Sequence, residues 1–244
     1  MLELGIVVVS ILLLLGLTLL PRKSPATFRP IPAFARLQRL IGLSVEEGTR
    51  LHVSLGRGGL LGAHSGASLA GLSMLRQLAE RTSVGDQPPV ATTGDPALVL
   101  LEQETLNAAY QAARAQDLYS PTTGRLTGPT PFSFAAGAMP VLRDENVSTN
   151  LLIGGFGSEV ALLTDTALRV GTPTLGGTDD LAAQAVLYAS AQDPLIGEEM
   201  FAAGAYLGAG QPHAASLTVQ DVLRWLLIVF LLGGALLKLI GLVP

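Results

Sequence analysis

The 244-residue chain has no cysteine, so it carries no disulfide framework and no thiolate zinc site. Charge is scarce, at 14% of residues, and between positions 51 and 220 there is no lysine at all. In that stretch seven Arg face fifteen Asp and Glu, a net charge of −8. Nucleic-acid phosphates need clustered Lys and Arg, so an acidic body excludes that partner. The three histidines, His52, His64 and His213, stand singly and far apart, without the His/Glu spacing of a metal site. No Gly-Lys-Ser/Thr occurs, which removes a Walker A loop. Neither GFGSE around Ser158 nor AHSGA around Ser65 makes a G-x-S-x-G elbow. The residues therefore point to no catalytic constellation, no metal and no cofactor, and the expectation leans away from an enzyme.

What the chain has in abundance is apolar sequence at its two ends. Residues 4–20 run seventeen positions without a charge, enough to reach the lower limit for crossing a hydrocarbon core of about 30 Å. Residues 225–243 give a second run of nineteen, broken only by Lys238, whose stem can lie in hydrocarbon while its ammonium reaches the headgroups. Trp225 stands at the opposite boundary, where an interfacial aromatic anchor belongs, and Arg22 and Lys23 flank the first run. The residues ahead of the first run include Glu3 and no basic side chain, and the PRKSP that follows offers no A-x-A cleavage site. An uncleaved anchor is expected rather than a signal peptide. Arg22, Lys23, Arg29, Arg36, Arg39, Arg50 and Arg224 all lie between the two runs. The positive-inside rule then places the central domain in the cytoplasm and both termini outside the inner membrane. The basic segment 22–50, net +4, suits anionic headgroups of the lipid bilayer.

Between the ends, four prolines (Pro21, Pro25, Pro30 and Pro32) make a stiff extended stalk. Phe34, Leu37, Leu40 and Ile41 then recur at helical spacing, which predicts a short amphipathic helix lying on the membrane or packed on the domain. From 51 onward one rhythm repeats four times: an apolar run, a loop of Gly, Thr and Asp, and an Ala/Leu-rich helix. The runs are LHVSLG, PVATTG, NLLIGG and GTPTLGG. This predicts a Rossmann-like α/β domain with a largely parallel sheet and helices on both faces, flanked by two transmembrane helices. PFSFAAGAMPVLRDENV reads as a strand and turn, an antiparallel addition. Thr218 and Asp221 match a capping box opening the last helix. The expected divisions are an anchor at 1–21, stalk and short helix at 22–50, the α/β domain at 51–215, and a helix entering the membrane at 216–244.

The loops carry the candidate site. Gly56, Gly58, Gly59 and Gly62 follow a strand and precede a helix, the setting in which free amides hold a phosphate, although the spacing is not G-x-G-x-x-G. Arg57 would add charge to a bound anion. Thr93, Gly94, Gly155, Gly157 and Thr178 occupy the equivalent loops, and together these could form a polar crevice at the carboxyl ends of the strands. The competing reading is tight turns, close packing, and Asp95 and Asp180 as helix caps. Ala202, Ala203, Gly204, Ala205 and Gly208 form a small-residue helix suited to close backbone approach.

The terminal spans, GGFGSE, GEEMFAAGAYL and QDVLRW together resemble an uncharacterised prokaryotic membrane family, seen in green non-sulfur bacteria, whose domain has no assigned function. The resemblance implies the anchored α/β layout and transfers no catalytic residue. Three functional expectations result. One is a self-associating scaffold that forms a homo-oligomer, ring-like in its closed form. Another is a tethered nucleotide or anion sensor or enzyme using the glycine loops. The last is an accessory subunit beside other membrane-complex subunits.

Overall fold

The computed structural model describes residues 2–19 and 28–240, which fall into two compact units. Arg22 and Lys23, expected as membrane anchors, lie outside the described residues, as do Pro21 and Pro25 of the stalk.

One unit contains the two terminal helices, α1 (Leu2–Leu19) and α9 (Gln211–Leu239), packed against each other. At 1.5 Å per residue α9 is about 43 Å long. It is the one helix among the described residues both long and apolar enough to cross a membrane; in α1 the apolar segment Gly5–Leu19 is shorter. Ser10 and Thr18 of α1 donate their hydroxyls to the carbonyls of Ile6 and Leu14, each at 2.7 Å, so neither leaves a bare polar group on an apolar helix. The expected capping box at Thr218 is not where α9 begins. Gly210, at φ +101°, and Pro212 supply the start seven residues earlier, and Thr218 Oγ1 donates to the Ala214 carbonyl at 3.2 Å inside the helix. Residues 213–218 contain no Gly or Pro, so nothing breaks the helix ahead of Thr218 and the T-x-x-D spacing falls within it. Trp225 and Lys238 both lie on α9, Lys238 in its last turn.

The second unit, Arg29–Gly208, is a mixed α/β structure around a six-stranded, all-parallel sheet of order β3-β2-β1-β4-β5-β6. The strands are β1 (Arg50–Gly56), β2 (Val90–Thr93), β3 (Gly124–Leu126), β4 (Val147–Gly155), β5 (Thr174–Gly177) and β6 (Asp193–Leu195). The helices are α2 (Pro32–Glu47), α3 (Ser65–Thr82), α4 (Pro96–Ala112), α5 (Pro131–Asp144), α6 (Val160–Val170), α7 (Leu181–Ser190) and the single turn α8 (Ala203–Tyr206). Strand alternation separates two cores. Leu151 and Ile153 of β4 join a cluster with α2, α3 and α4, while Leu152 between them joins Phe134, Leu163 and Leu187 of α5, α6 and α7. The helix expected over 34–41 packs on this unit, burying Phe34, Leu37 and Ile41, with the Phe34 ring stacked 4.9 Å from that of Tyr206.

The segment expected as a strand and antiparallel addition is instead helix α5. Thr130 and Ser133 make a reciprocal capping box and Pro131 stands in its first turn, which starts a helix that Phe, Gly and Pro140 in its body disguise. No antiparallel pairing occurs among the described strands; the two edge strands, β3 and β6, are parallel and three residues long.

Candidate functional site

The chain runs outward from β1 to β3 and then returns to β4 on the other side, so the loops after β1 and β4 diverge and leave a crevice at their carboxyl ends. The β1–α3 loop, residues 57–64, crosses that end and is fastened on both sides. Gly56 turns with φ +68°, and Arg57 then donates its amide to the Gly155 carbonyl at 2.7 Å. The Arg57 side chain reaches the β4–α6 loop, where Nε lies 3.2 Å from Glu159 Oε1, and Nη1 donates to the Pro129 carbonyl at 3.4 Å. Glu159 is only 4% exposed at its side chain and also accepts the Gly157 amide at 3.1 Å. The positive charge that would serve a bound anion is thus already matched by a buried carboxylate, and one amide of the α6 entry is occupied by the same group.

The other glycines fit this closure. A Cβ at Gly155 would lie 2.5 Å from Gly58 Cα, and one at Gly58 would lie 2.6 Å from Ser68 Oγ. Gly94 lies under the stem of Arg57, and Gly59 faces Asp95. Thr93 Oγ1 donates to the Gly56 carbonyl at 2.9 Å, and Thr178 Oγ1 accepts amides from Phe156 and Asp180 at 3.3 and 3.4 Å. Asp95 accepts the amides of Ala97 and Leu98, and Asp180 that of Ala183, which makes each a helix cap. The structure brings Gly56, Arg57, Gly58, Gly155 and Gly157 together at the crevice, with Thr93 and Gly94 joining from the β2 side and Thr178 from the β5 side. The loops approach one another closely there, Gly155 against the Gly58 backbone and Gly94 against the Arg57 stem.

Two groupings escaped the sequence reading. His64, at the end of the same loop, has Nδ1 2.7 Å from Asp179 Oδ1 at the start of α7, both partly open to solvent. The two are 115 positions apart, so no spacing rule could pair them. Beneath the loops, one face of the sheet carries a buried polar ladder. His52 Nδ1 lies 2.8 Å from Asn150 Oδ1, His52 Nε2 is 2.9 Å from Thr92 Oγ1, and Asn150 Nδ2 donates to Thr174 Oγ1 at 3.1 Å. Burial drives the His52 pKa down to about 4, against a smaller upward pull from its bond to Asn150, so the ring is neutral at physiological pH. Thr92 Oγ1 in turn donates to Ser54 Oγ at 3.0 Å, which extends the ladder along β1. The signal was present in LHVSLG, where His52 and Ser54 alternate with Leu51, Val53 and Leu55.

Away from the crevice, a cavity of about 310 Å³ lies beside β6 and the start of α2, lined by Arg29, Pro30, Pro32, Asp193, Pro194 and Glu199. Its charges are paired, Arg29 with Glu199 at 2.5 Å within the lining and Asp193 with Arg36, outside it, at 3.1 Å. Burial lifts the Asp193 pKa, and Arg36 opposes the rise. Among the described residues no group of three or more His, Asp and Glu is placed to hold a metal.

Residues 1–243 match the family model DUF6754, a domain of unknown function, and the chain belongs to that family. No curated protein and no solved structure matches the chain.

Proposed function

We propose that this is a two-pass membrane protein, anchored by α1 and α9, whose Rossmann-like domain is a self-associating scaffold on the cytoplasmic face of the inner membrane. The strand order of the sheet is that of doubly wound dinucleotide-binding domains, and the reading turns on how its crevice is used. The observation that carries it is the inversion of the usual pattern. The crevice is occupied by its own glycines and by the Arg57–Glu159 pair, while large apolar side chains stand in solvent: Leu181 at 81%, Phe132 at 75% and Tyr188 at 73% exposure. Exposed apolar surface on a charge-poor body supports protein association over small-molecule binding. Copies held at one membrane in one orientation close into cyclic assemblies. Co-expression of two differently tagged full-length chains tests this directly. The scaffold reading expects one tag to recover the other in defined ratio, and recovery of a single tag alone would overturn it.

A second reading, a nucleotide or anion sensor, draws support from His64 and Asp179. They form a solvent-open pair on the loop beside Gly58 and Gly155, where doubly wound sheets place ligands. It expects nucleotides or phosphate to raise the melting temperature of the wild type and not of His64→Ala. An unchanged melting temperature in both would exclude it.

A further inference from the structure

Helix α7 is built inside out. Two of its three hydrogen-bonding side chains are used within its own domain, with only Tyr188 turned outward: Gln184 Oε1 accepts the Gly197 amide at 3.2 Å, and Ser190 Oγ donates to Thr164 Oγ1 at 2.9 Å. Ala183 and Leu187 are fully buried against the sheet. The outward face consists of Leu181, Ala182, Ala185, Tyr188 and Ala189, all exposed, and the helix has no charged residue. A surface helix ordinarily turns its charges outward, as α6 does with the exposed pair Asp165 and Arg169. A helix apolar all round belongs in an interior.

We infer that the outward face of α7 is a self-association surface, on which two copies pack α7 against α7, antiparallel, across a two-fold axis. This rests on the self-association reading above and names its contact. The occupant follows from the order of side chains. An antiparallel pair centred on Ala185 sets Leu181 opposite Ala189, Ala182 opposite Tyr188, and Ala185 opposite its own copy, so a large residue meets a small one at each outer position. A two-fold interface demands this self-complementarity. Charge selects the same direction. Asp179 and Asp180 stand at the amino end of α7. Antiparallel packing opposes the dipoles of the two helices and keeps these acidic ends apart, whereas parallel packing would set them together. The ten-residue stripe, about 15 Å long, is small beside a standard interface of about 1,600 Å². Anchoring both copies in one membrane supplies the effective concentration such a contact needs.

The absence of cysteine makes the test clean. Facing alanines let helix axes approach to about 8 Å, which brings the two Ala185 Cα atoms within disulfide range. In native membranes under mild oxidation, full-length Ala185→Cys is expected to convert to a cross-linked dimer. Leu69→Cys, on α3 across the sheet, is expected to stay monomeric on a non-reducing gel. Tyr188→Glu, at an exposed position, is expected to lower the mass of the solubilised particle with its circular dichroism unchanged, while Tyr188→Phe retains the wild-type mass. An oligomer that neither cross-links through position 185 nor responds to Tyr188→Glu would overturn this interface and leave self-association standing. A monomeric wild type would overturn both.

Discussion

The imidazole of His52 and the carboxamide of Asn150 meet across the two central strands, 2.8 Å apart and fully buried, in a sheet whose opposite face is lined by Leu51, Val53 and Leu151. Each polar atom has a partner on the next strand, so the ladder fixes the register of β2, β1, β4 and β5 at the cost of holding a titratable ring out of water.

That cost appears as pH dependence. The folded-state pKa of His52, about 4, lies below its ordinary 6.5, so the unfolded chain takes up the extra proton between these values. The stability this group contributes is full above pH 6.5 and falls as pH drops toward 4, by about 3 kcal/mol. Thermal unfolding of the solubilised chain from pH 8 to 4 measures it. His52→Gln is expected to flatten that part of the profile, and an unchanged slope would show that the ring titrates freely.

Glu102 has the opposite sign. Its side chain on α4 is fully buried, and among the described residues neither carboxyl oxygen has a hydrogen-bond partner; burial pushes its pKa well above the usual carboxylate value. A carboxyl so raised stabilises the fold least at high pH, because the unfolded chain ionises first. Glu102→Leu is expected to raise stability at pH 8 by about 1–3 kcal/mol, read as a higher melting temperature. A lower melting temperature would mean that the carboxyl is satisfied.

At the crevice, Gly155→Ala distinguishes packing from ligand binding. Its methyl would press on Gly58 Cα at 2.5 Å, where backbone has no side chain to swing away. The expected outcome is a loss of about 1–3 kcal/mol of stability without any ligand present. A variant as stable as the wild type would return the loop to the ligand reading.

Topology has its own test, again through the lack of native cysteine. Leu61→Cys stands fully in solvent on the β1–α3 loop, at 102% exposure. A membrane-impermeant maleimide is expected to leave it unlabelled in intact cells and to label it in inverted vesicles. Labelling of intact cells would place the domain outside.

The four strand-loop-helix units were legible because buried parallel strands read as continuous apolar runs, and Asp95 and Asp180 were legible because capping is local. β3 and β6 were not, since three residues cannot show a period. Helix α5 was hidden by Phe132, Phe134, Gly137 and Pro140, although its start signal, Thr130 with Pro131, was in the sequence. The start of α9 was misplaced because T-x-x-D is a spacing that also occurs within helices. The glycines and Arg57 lie on the loops at the strand ends that the sequence assigned them to, but what they touch was not legible. Arg57 and Glu159 are 102 positions apart, and only the fold places a buried carboxylate where an anion was expected.

The central claim, self-association, is tested most directly by the mass of the gently solubilised full-length particle, measured by light scattering at micromolar concentration with the detergent contribution subtracted. The scaffold reading predicts one homogeneous species at a whole multiple of the 25.3 kDa chain, at least two. A species of one chain mass across the micromolar range would contradict it and return the glycine loop and His64 to the centre of the account.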